Sequence, residues 1–134
     1  MIPDACVLSR SAEETRRLGQ QLGLLLEGGD AVALSGDLGA GKTCFAQGLA
    51  LGLGVAPEVP VTSPTFTLVG QYPGRVEMRH ADFYRVEHYA RLLDAGFGDL
   101  LDRAGVLVVE WPERFPQALP DERIEVGIEI VSGE

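Results

Sequence analysis

The fold of this chain is decided by the stretch Ala31-Val32-Ala33-Leu34-Ser35-Gly36-Asp37-Leu38-Gly39-Ala40-Gly41-Lys42-Thr43. Its last eight residues fill every fixed place of the G-x-x-x-x-G-K-[ST] phosphate-binding loop. An apolar run precedes the loop and a helical pattern follows it, which is the strand–loop–helix context that the motif requires. Glycines let backbone N–H groups approach phosphates, the lysine neutralises their charge, and the threonine hydroxyl suits Mg²⁺. The sequence therefore predicts a nucleoside triphosphate site.

Lys42 is the only lysine of the chain, and the other basic residues are ten arginines. A lysine confined to this motif is expected to serve catalysis as a compact, mobile ammonium between the terminal phosphates. We expect nucleotide contacts along the whole loop and from the residue after it. These cofactor-binding candidates are Gly36, Asp37, Leu38, Gly39, Ala40, Gly41, Lys42, Thr43 and Cys44.

Helical and strand patterns alternate along the rest of the chain. A capping box at Ser11-Ala12-Glu13-Glu14 predicts the start of a first helix, and a second helix follows the phosphate loop. A hairpin is predicted for 66–72 and 75–82 around Pro73-Gly74, a helix around 87–94, and strands at 106–109 and 124–130. Since no linker or repeat interrupts residues 1–134, we expect one α/β domain with a mixed, mostly parallel sheet flanked by helices.

Two acidic residues stand where predicted strands end. Asp82 ends an alternating strand, and Glu110 ends the apolar run that begins at Val106. In open α/β sheets the ligand lies at the carboxyl ends of the strands, where the phosphate loop also lies. Because Mg²⁺ prefers oxygen ligands and keeps much of its hydration, both acids are metal and catalytic candidates. Considered singly, either one is more typical of a capping or solvated carboxylate, but a phosphate loop in the same small domain favours the functional role.

Three other features leave alternatives open. The hydroxyl-rich loop of residues 61–67 is compatible with turn chemistry or with a switch that orders around a γ-phosphate and Mg²⁺. His80 is interpreted as a packed strand residue rather than a general base. Trp111, the single tryptophan, is either a core residue or a side chain that gates the site beside Glu110.

Composition limits the function classes. The net charge of −9 argues against a nucleic-acid surface, since DNA- and RNA-binding proteins present a basic face. No apolar run approaches the roughly twenty residues of a membrane span, and the first ten residues lack the apolar core of a signal peptide. The two cysteines form no metal or redox motif, so buried free thiols are expected. Together these features predict a cytoplasmic protein without membrane contact.

Further motifs follow the phosphate loop in one order. They are Thr62-Ser63-Pro64-Thr65-Phe66-Thr67-Leu68, His80-Ala81-Asp82-Phe83-Tyr84-Arg85 and Glu110-Trp111-Pro112-Glu113-Arg114. With the loop, this series resembles the bacterial ATPase of tRNA threonylcarbamoyladenosine biosynthesis, the TsaE (YjeE) family, over residues 11–131. The loop alone is common to many families, whereas the whole series is specific. Cys44 stands where the family commonly has a second threonine, a position outside the fixed phosphate contacts.

The resemblance implies a small P-loop NTPase-like fold that binds ATP or ADP with Mg²⁺. It also implies association with a heterodimer of two actin-like-fold proteins, one of which is the threonylcarbamoyl transferase. The family's ATPase does not transfer the threonylcarbamoyl group itself but supports the complex that modifies adenosine 37 of tRNA. Given the acidic charge, we expect tRNA to be reached only indirectly.

The same resemblance implies a role for each matching residue. Lys42 contacts phosphates, Thr43 ligates Mg²⁺, and Trp111 lies beside the nucleotide. Asp82 and Glu110 support the metal or its water. The switch-like loop contains Thr62, Ser63 and Thr65.

Other nucleotide-dependent functions use a phosphate-binding loop as well. A GTPase needs an N-K-x-D element, yet the chain contains no asparagine and no second lysine. A small-metabolite kinase uses the same loop and Mg²⁺ but usually adds a lid and an acceptor pocket. A nucleotide-sensing adaptor without significant turnover would need neither. We expect ATP hydrolysis that is weak alone and activated by partner proteins, since neither Arg85 nor Arg114 is placed as an internal arginine finger by the sequence.

Overall fold

The structure is a computed structural model that describes residues 6–36, 41–62, 69–100 and 105–129. Within these ranges the strands are β1 Ala31–Ser35, β2 Val69–Tyr72, β3 Met78–Asp82, β4 Val106–Glu110 and β5 Ile124–Gly127. The helices are α1 Ala12–Leu25, α2 Lys42–Gly52, α3 Tyr89–Asp94 and α4 Phe97–Leu100. Two short 3₁₀ turns cover Pro112–Arg114 and Pro116–Ala118.

The strands form one sheet in the order β2-β3-β4-β1-β5. Strands β3, β4, β1 and β5 run parallel to one another, and β2 pairs antiparallel with β3 as the second arm of a hairpin. The prediction of a mixed, mostly parallel sheet with flanking helices is therefore confirmed. Because β4 lies between β3 and β1, the ends of these three strands are neighbours at one edge of the sheet.

Alternate residues of the central strands build two separate cores. Val32, Leu34 and Val108 face helices α1 and α2, where Phe45 and Leu49 complete the first core. The intervening residues of the same strands face α3, α4 and the 3₁₀ turns and build the second core, which consists of Ala31, Ala33, Ala81, Leu107 and Val109 with Phe83, Phe97 and Phe115. A strand buried on both faces is typical of parallel sheets and explains the continuous apolar runs of β1 and β4.

Helices α1 and α2 touch through their backbones along a glycine seam. It consists of Gly19 and Gly23 on α1 and Gly48 and Gly52 on α2, and all four residues are buried. A Cβ atom added at any of these positions would lie closer than 3.0 Å to a backbone oxygen of the facing helix. Only glycine allows so close an approach, and the approach holds α2 tightly against α1.

Several element ends differ from the sequence prediction. Strand β3 begins at Met78, since the backbone N–H of Val76 before it donates to Leu53 at the end of α2 rather than to a neighbouring strand. Arg75 places its guanidinium on the backbone oxygens of Gly23, Leu26 and Gly52. Strand β5 ends at Gly127, since its neighbour β1 ends at Ser35 and leads into the phosphate loop.

The remaining sequence expectations concern the cysteines and the membrane. Both cysteines are free, as expected, but the prediction that both are buried is wrong, because Cys6 is exposed and Cys44 is half-buried. No helix in the described parts of the chain is long and apolar enough to cross a membrane.

Candidate functional site

The candidate site lies at the carboxyl ends of β1, β3 and β4. Gly36 follows β1, Asp82 is the last residue of β3, and Glu110 is the last residue of β4. The strand register pairs Glu110 with Leu34 on one side and with Asp82 on the other. Helix α2 begins beside them at Lys42. The fold therefore brings together the predicted phosphate-binding lysine and both predicted acids.

Lys42 is buried at the start of α2, where its side chain retains 5% of its exposure. The residue before it, Gly41, has a left-handed backbone with φ of 104°, a conformation that favours glycine. The Lys42 ammonium donates a hydrogen bond to the backbone oxygen of Gly36. Its charge is thus held across the mouth of the phosphate loop, in a place shielded from water.

Trp111 covers the ammonium of Lys42. The Nζ atom lies 4.0 Å from the centroid of the Trp111 ring, within the range of a cation–π contact. The same ring packs on Tyr84, with 4.8 Å between ring centroids. With φ of 58°, Trp111 is the one non-glycine residue of the described ranges that has a left-handed backbone. This uncommon conformation turns the chain sharply after Glu110 and accompanies the placement of the ring over Lys42.

Asp82 carries a perturbed carboxyl group. Burial raises the pKa of Asp82 above its ordinary value, and the negative charge of Glu110 adds to the rise. The backbone N–H of Tyr84, which donates to Asp82 Oδ1 at 2.9 Å, and the nearby Lys42 oppose this rise in pKa. Burial is thus the main cause of the raised pKa of Asp82.

Glu110 is buried and contacts a histidine. Its Oε2 atom lies 2.6 Å from Nε2 of His80, and the two side chains retain 3% and 0% of their exposure. The sequence interpretation of His80 as a packed strand residue is correct for its burial, but it missed this contact. A signal was present, since His80 and Asp82 are two positions apart on one strand and therefore share a face.

The donors at this edge fit Mg²⁺ bound together with a nucleotide. Thr43, Asp82 and Glu110 offer hydroxyl and carboxylate oxygens, which are the ligands that this ion prefers. Among the described residues no group of three or more His, Cys, Asp or Glu side chains is arranged to hold a metal alone.

The remaining predicted site residues lie partly outside and partly inside the described ranges. Asp37, Leu38, Gly39, Ala40, Ser63 and Thr65 lie outside the described residues. Thr62 is exposed, and its backbone oxygen accepts a hydrogen bond from the Tyr72 hydroxyl at 3.5 Å. Cys44 lies 3.9 Å from Arg16 of α1, so its side chain faces that helix. Arg85 is exposed, and Arg114 donates to the backbone oxygen of Val86.

The raised pKa of Asp82 leads to a test by pH. Because the pKa of Asp82 is higher in the folded protein than in the unfolded chain, ionised Asp82 lowers the free energy of unfolding at a pH above its folded-state pKa. This loss shrinks as the pH falls through the folded-state pKa toward the unfolded-state pKa of about 4. Asp82→Asn keeps an oxygen for the Tyr84 N–H but removes the charge. Without nucleotide, we expect the variant to melt at a higher temperature than wild type at pH 7, with the difference shrinking toward about pH 4. Thermal melts of both proteins across this range make the comparison, and a more stable wild type at pH 7 would contradict it.

A phosphate loop between a buried strand and a helix, at the carboxyl edge of a mostly parallel sheet, defines a P-loop NTPase-like fold. The crystal structure of Bacillus subtilis YdiB is similar, with a TM-score of 0.71 and 32% identity over 92% of this chain and 75% of that one. The family model described as "Threonylcarbamoyl adenosine biosynthesis protein TsaE" matches residues 9–133. The chain belongs to the TsaE family.

Curated relatives support the same assignment over most of the chain. The tRNA threonylcarbamoyladenosine biosynthesis protein TsaE of Treponema pallidum is 45% identical over 95% of this chain and 92% of its own length. The protein of the same name from Bacillus subtilis is 38% identical over 87% of this chain and 72% of its own length. That of Mycobacterium tuberculosis H37Rv is 41% identical over 90% of this chain and 76% of its own length.

Proposed function

We propose that this protein is an ATPase that supports threonylcarbamoylation of adenosine 37 in tRNA. Its partner in this proposal is a heterodimer of two actin-like-fold proteins that includes the threonylcarbamoyl transferase. The observation that carries the proposal is the buried Lys42 ammonium at the mouth of a phosphate loop, beside Asp82 and Glu110, in a chain of the TsaE family. Membership of the family supports the role in tRNA modification, and the residues of the site support the hydrolysis of ATP.

Lys42 is assigned to the phosphates. In the free protein its ammonium is stabilised by the Gly36 oxygen and by the Trp111 ring. The terminal phosphates of ATP offer a stronger charge-assisted contact to the same ammonium. Since the group is almost fully buried, it loses little hydration when it exchanges partners. The Trp111 ring must then yield part of its contact with Nζ, which couples this tryptophan to nucleotide binding.

Asp82 and Glu110 are assigned to Mg²⁺ and to the attacking water. Together with Thr43 they would hold the ion, which when bound would neutralise charge on the phosphates. A carboxylate oxygen that accepts a hydrogen bond from water orients its lone pair toward the γ-phosphorus. The new P–O bond forms while the bond to the bridging oxygen breaks, and the products are ADP and inorganic phosphate. Burial of Glu110 fixes the direction in which its carboxylate can act.

Activation by a partner agrees with the positions of Arg85 and Arg114, the two candidates for an internal arginine finger. The Arg114 guanidinium is bound to the backbone of Val86, and Arg85 extends into solvent. A partner that supplies positive charge or excludes water from the site would raise the hydrolysis rate. We therefore propose weak turnover alone and faster turnover in the complex.

The test compares ATP hydrolysis by this protein alone and with the purified transferase heterodimer. We expect stimulation that requires Mg²⁺ and is absent from Lys42→Ala. Stimulation of the mutant would assign the activity to the heterodimer instead. Binding of ATP without stimulation would favour a nucleotide-sensing adaptor, and transfer of phosphate to a metabolite without the heterodimer would favour a small-metabolite kinase.

A further inference from the structure

His80 is a fully buried polar residue that packing does not explain. It lies in the middle of β3, and the register pairs it with the apolar Val108 of β4. Its neighbour Met78, two residues earlier on the same face, is apolar and equally buried. The His80 Nδ1 atom is buried without a hydrogen-bond partner among the described residues. An apolar side chain at this position would bury no unpartnered polar atom. The imidazole therefore lowers the stability of the fold at Nδ1, and another contact of the ring must offset this loss.

The compensating contact is the bond to Glu110. The His80 ring reaches diagonally from β3 to β4, and its Nε2 lies 2.6 Å from Glu110 Oε2. A carboxylate oxygen accepts hydrogen bonds, so the ring nitrogen at this distance is the donor. We therefore assign the donor to Nε2–H and the acceptor to the Glu110 carboxylate.

This bond restrains the side chain of Glu110 at the end of β4. A glutamate has several rotatable bonds, and its carboxylate directs water or a metal only when those bonds are restrained. The rigid His80 ring is itself held by complete burial. Asp82 stands beside Glu110 in the strand register and repels it, and the His80 donor offsets this repulsion by binding the Glu110 carboxylate.

We propose that His80 is a positioning residue, whose Nε2–H holds the Glu110 carboxylate in the orientation that the hydrolytic site needs. This inference rests on the proposed function, since it gives Glu110 its task at the Mg²⁺–nucleotide. His80 itself does not contact the nucleotide in this assignment. Outer partners of this kind typically change metal affinity or activity by about 10–100-fold when they are removed.

The test uses substitutions that separate the loss of the hydrogen-bond donor from the loss of side-chain volume at position 80. His80→Met removes the donor and fills the space with an apolar chain, whereas His80→Gln keeps an N–H donor at a similar reach. Met78→Leu is the control for a change in the same buried face. Thermal melts establish that each variant is folded, and His80→Asn, whose amide is too short to reach, replaces His80→Met if that variant does not fold.

Two quantities are measured on the folded variants. The first is binding of Mn²⁺ in the presence of ADP, followed by electron paramagnetic resonance. The second is the kcat and KM of ATP hydrolysis in the presence of the transferase heterodimer. For His80→Met we expect Mn²⁺ affinity and kcat to fall about tenfold each, with KM for ATP within twofold of wild type. His80→Gln should recover most of both losses, and Met78→Leu should resemble wild type.

A double substitution shows whether His80 acts through Glu110. In a Glu110→Ala background, His80→Met should lower kcat no further, because the carboxylate to be positioned is already gone. An additional loss in that background, or wild-type Mn²⁺ affinity and kcat in folded His80→Met, would overturn the positioning role. Failure of the wild-type protein to bind nucleotide with Mg²⁺ would instead overturn the proposed function, and the positioning role with it.

Discussion

Replacement of Lys42 by alanine is expected to weaken binding of ATP with Mg²⁺ about a hundredfold, or about 2.7 kcal/mol. The ammonium is almost fully buried, so its attraction to phosphate is little screened by water. The substitution also leaves the phosphates near Asp82 and Glu110 without the one lysine charge that the chain supplies. Isothermal titration calorimetry with ATP and with ADP measures the change.

A matched control separates this local effect from the overall charge. Arg17→Ala removes the same single positive charge from an exposed position on α1. Both variants change the net charge of −9 by one unit. We expect Arg17→Ala to bind ATP within threefold of wild type, because water and salt screen a charge on an exposed side chain. A Lys42→Ala affinity as close to wild type as that of the control would remove Lys42 from the phosphate contacts.

Replacement of Gly48 by alanine is expected to lower the free energy of unfolding by about 2–3 kcal/mol. Alanine favours a helix over glycine by about 1 kcal/mol, so local propensity alone predicts stabilisation. The new Cβ would overlap the backbone oxygen of Arg16, however, and a helix backbone cannot yield as a side-chain tip does. Helices α1 and α2 would have to separate, which loosens the packing of both against β1 and β4. Urea unfolding of the two proteins gives the difference.

Gly98→Ala is the control for this substitution. Gly98 lies in α4, is exposed, and has no atom within 4 Å of the position of an added Cβ. There the alanine should leave the unfolding free energy unchanged or raise it by up to about 1 kcal/mol. If Gly48→Ala is as stable as Gly98→Ala, the close approach of α1 and α2 is wrong.

Local patterns predicted the sheet and the position of the site. The apolar run Ala31–Ser35, the glycine-rich loop and the helix after it are adjacent in sequence, so their relation needs no long-range information. Asp82 and Glu110 were found because each closes a strand pattern, and parallel strands deliver their carboxyl ends to one edge. The rule places both residues at this edge, whereas their pairing across β3 and β4 depends on strand order and register.

Contacts that depend on register and backbone direction were not predictable. The bond between His80 and Glu110 requires that β3 and β4 be neighbours with a particular offset, which distant packing determines. The ring of Trp111 lies over Lys42 only because the backbone of Trp111 is left-handed, a conformation that sequence disfavours for tryptophan. From the sequence alone, the α1 glycines Gly19 and Gly23 are only weak helix formers. In the structure they are the points at which α2 contacts α1.

The solitary lysine has a consequence for covalent chemistry. Every basic residue other than Lys42 is an arginine, so the chain has one side-chain primary amine, and that amine lies under an indole ring at the candidate site. Acylation or another lysine-directed modification can therefore react with only one side-chain atom of this protein, Nζ of Lys42. Acylation of this amine would neutralise Lys42 and leave the arginine charges in place, so one covalent event would remove the positive charge proposed to bind phosphate.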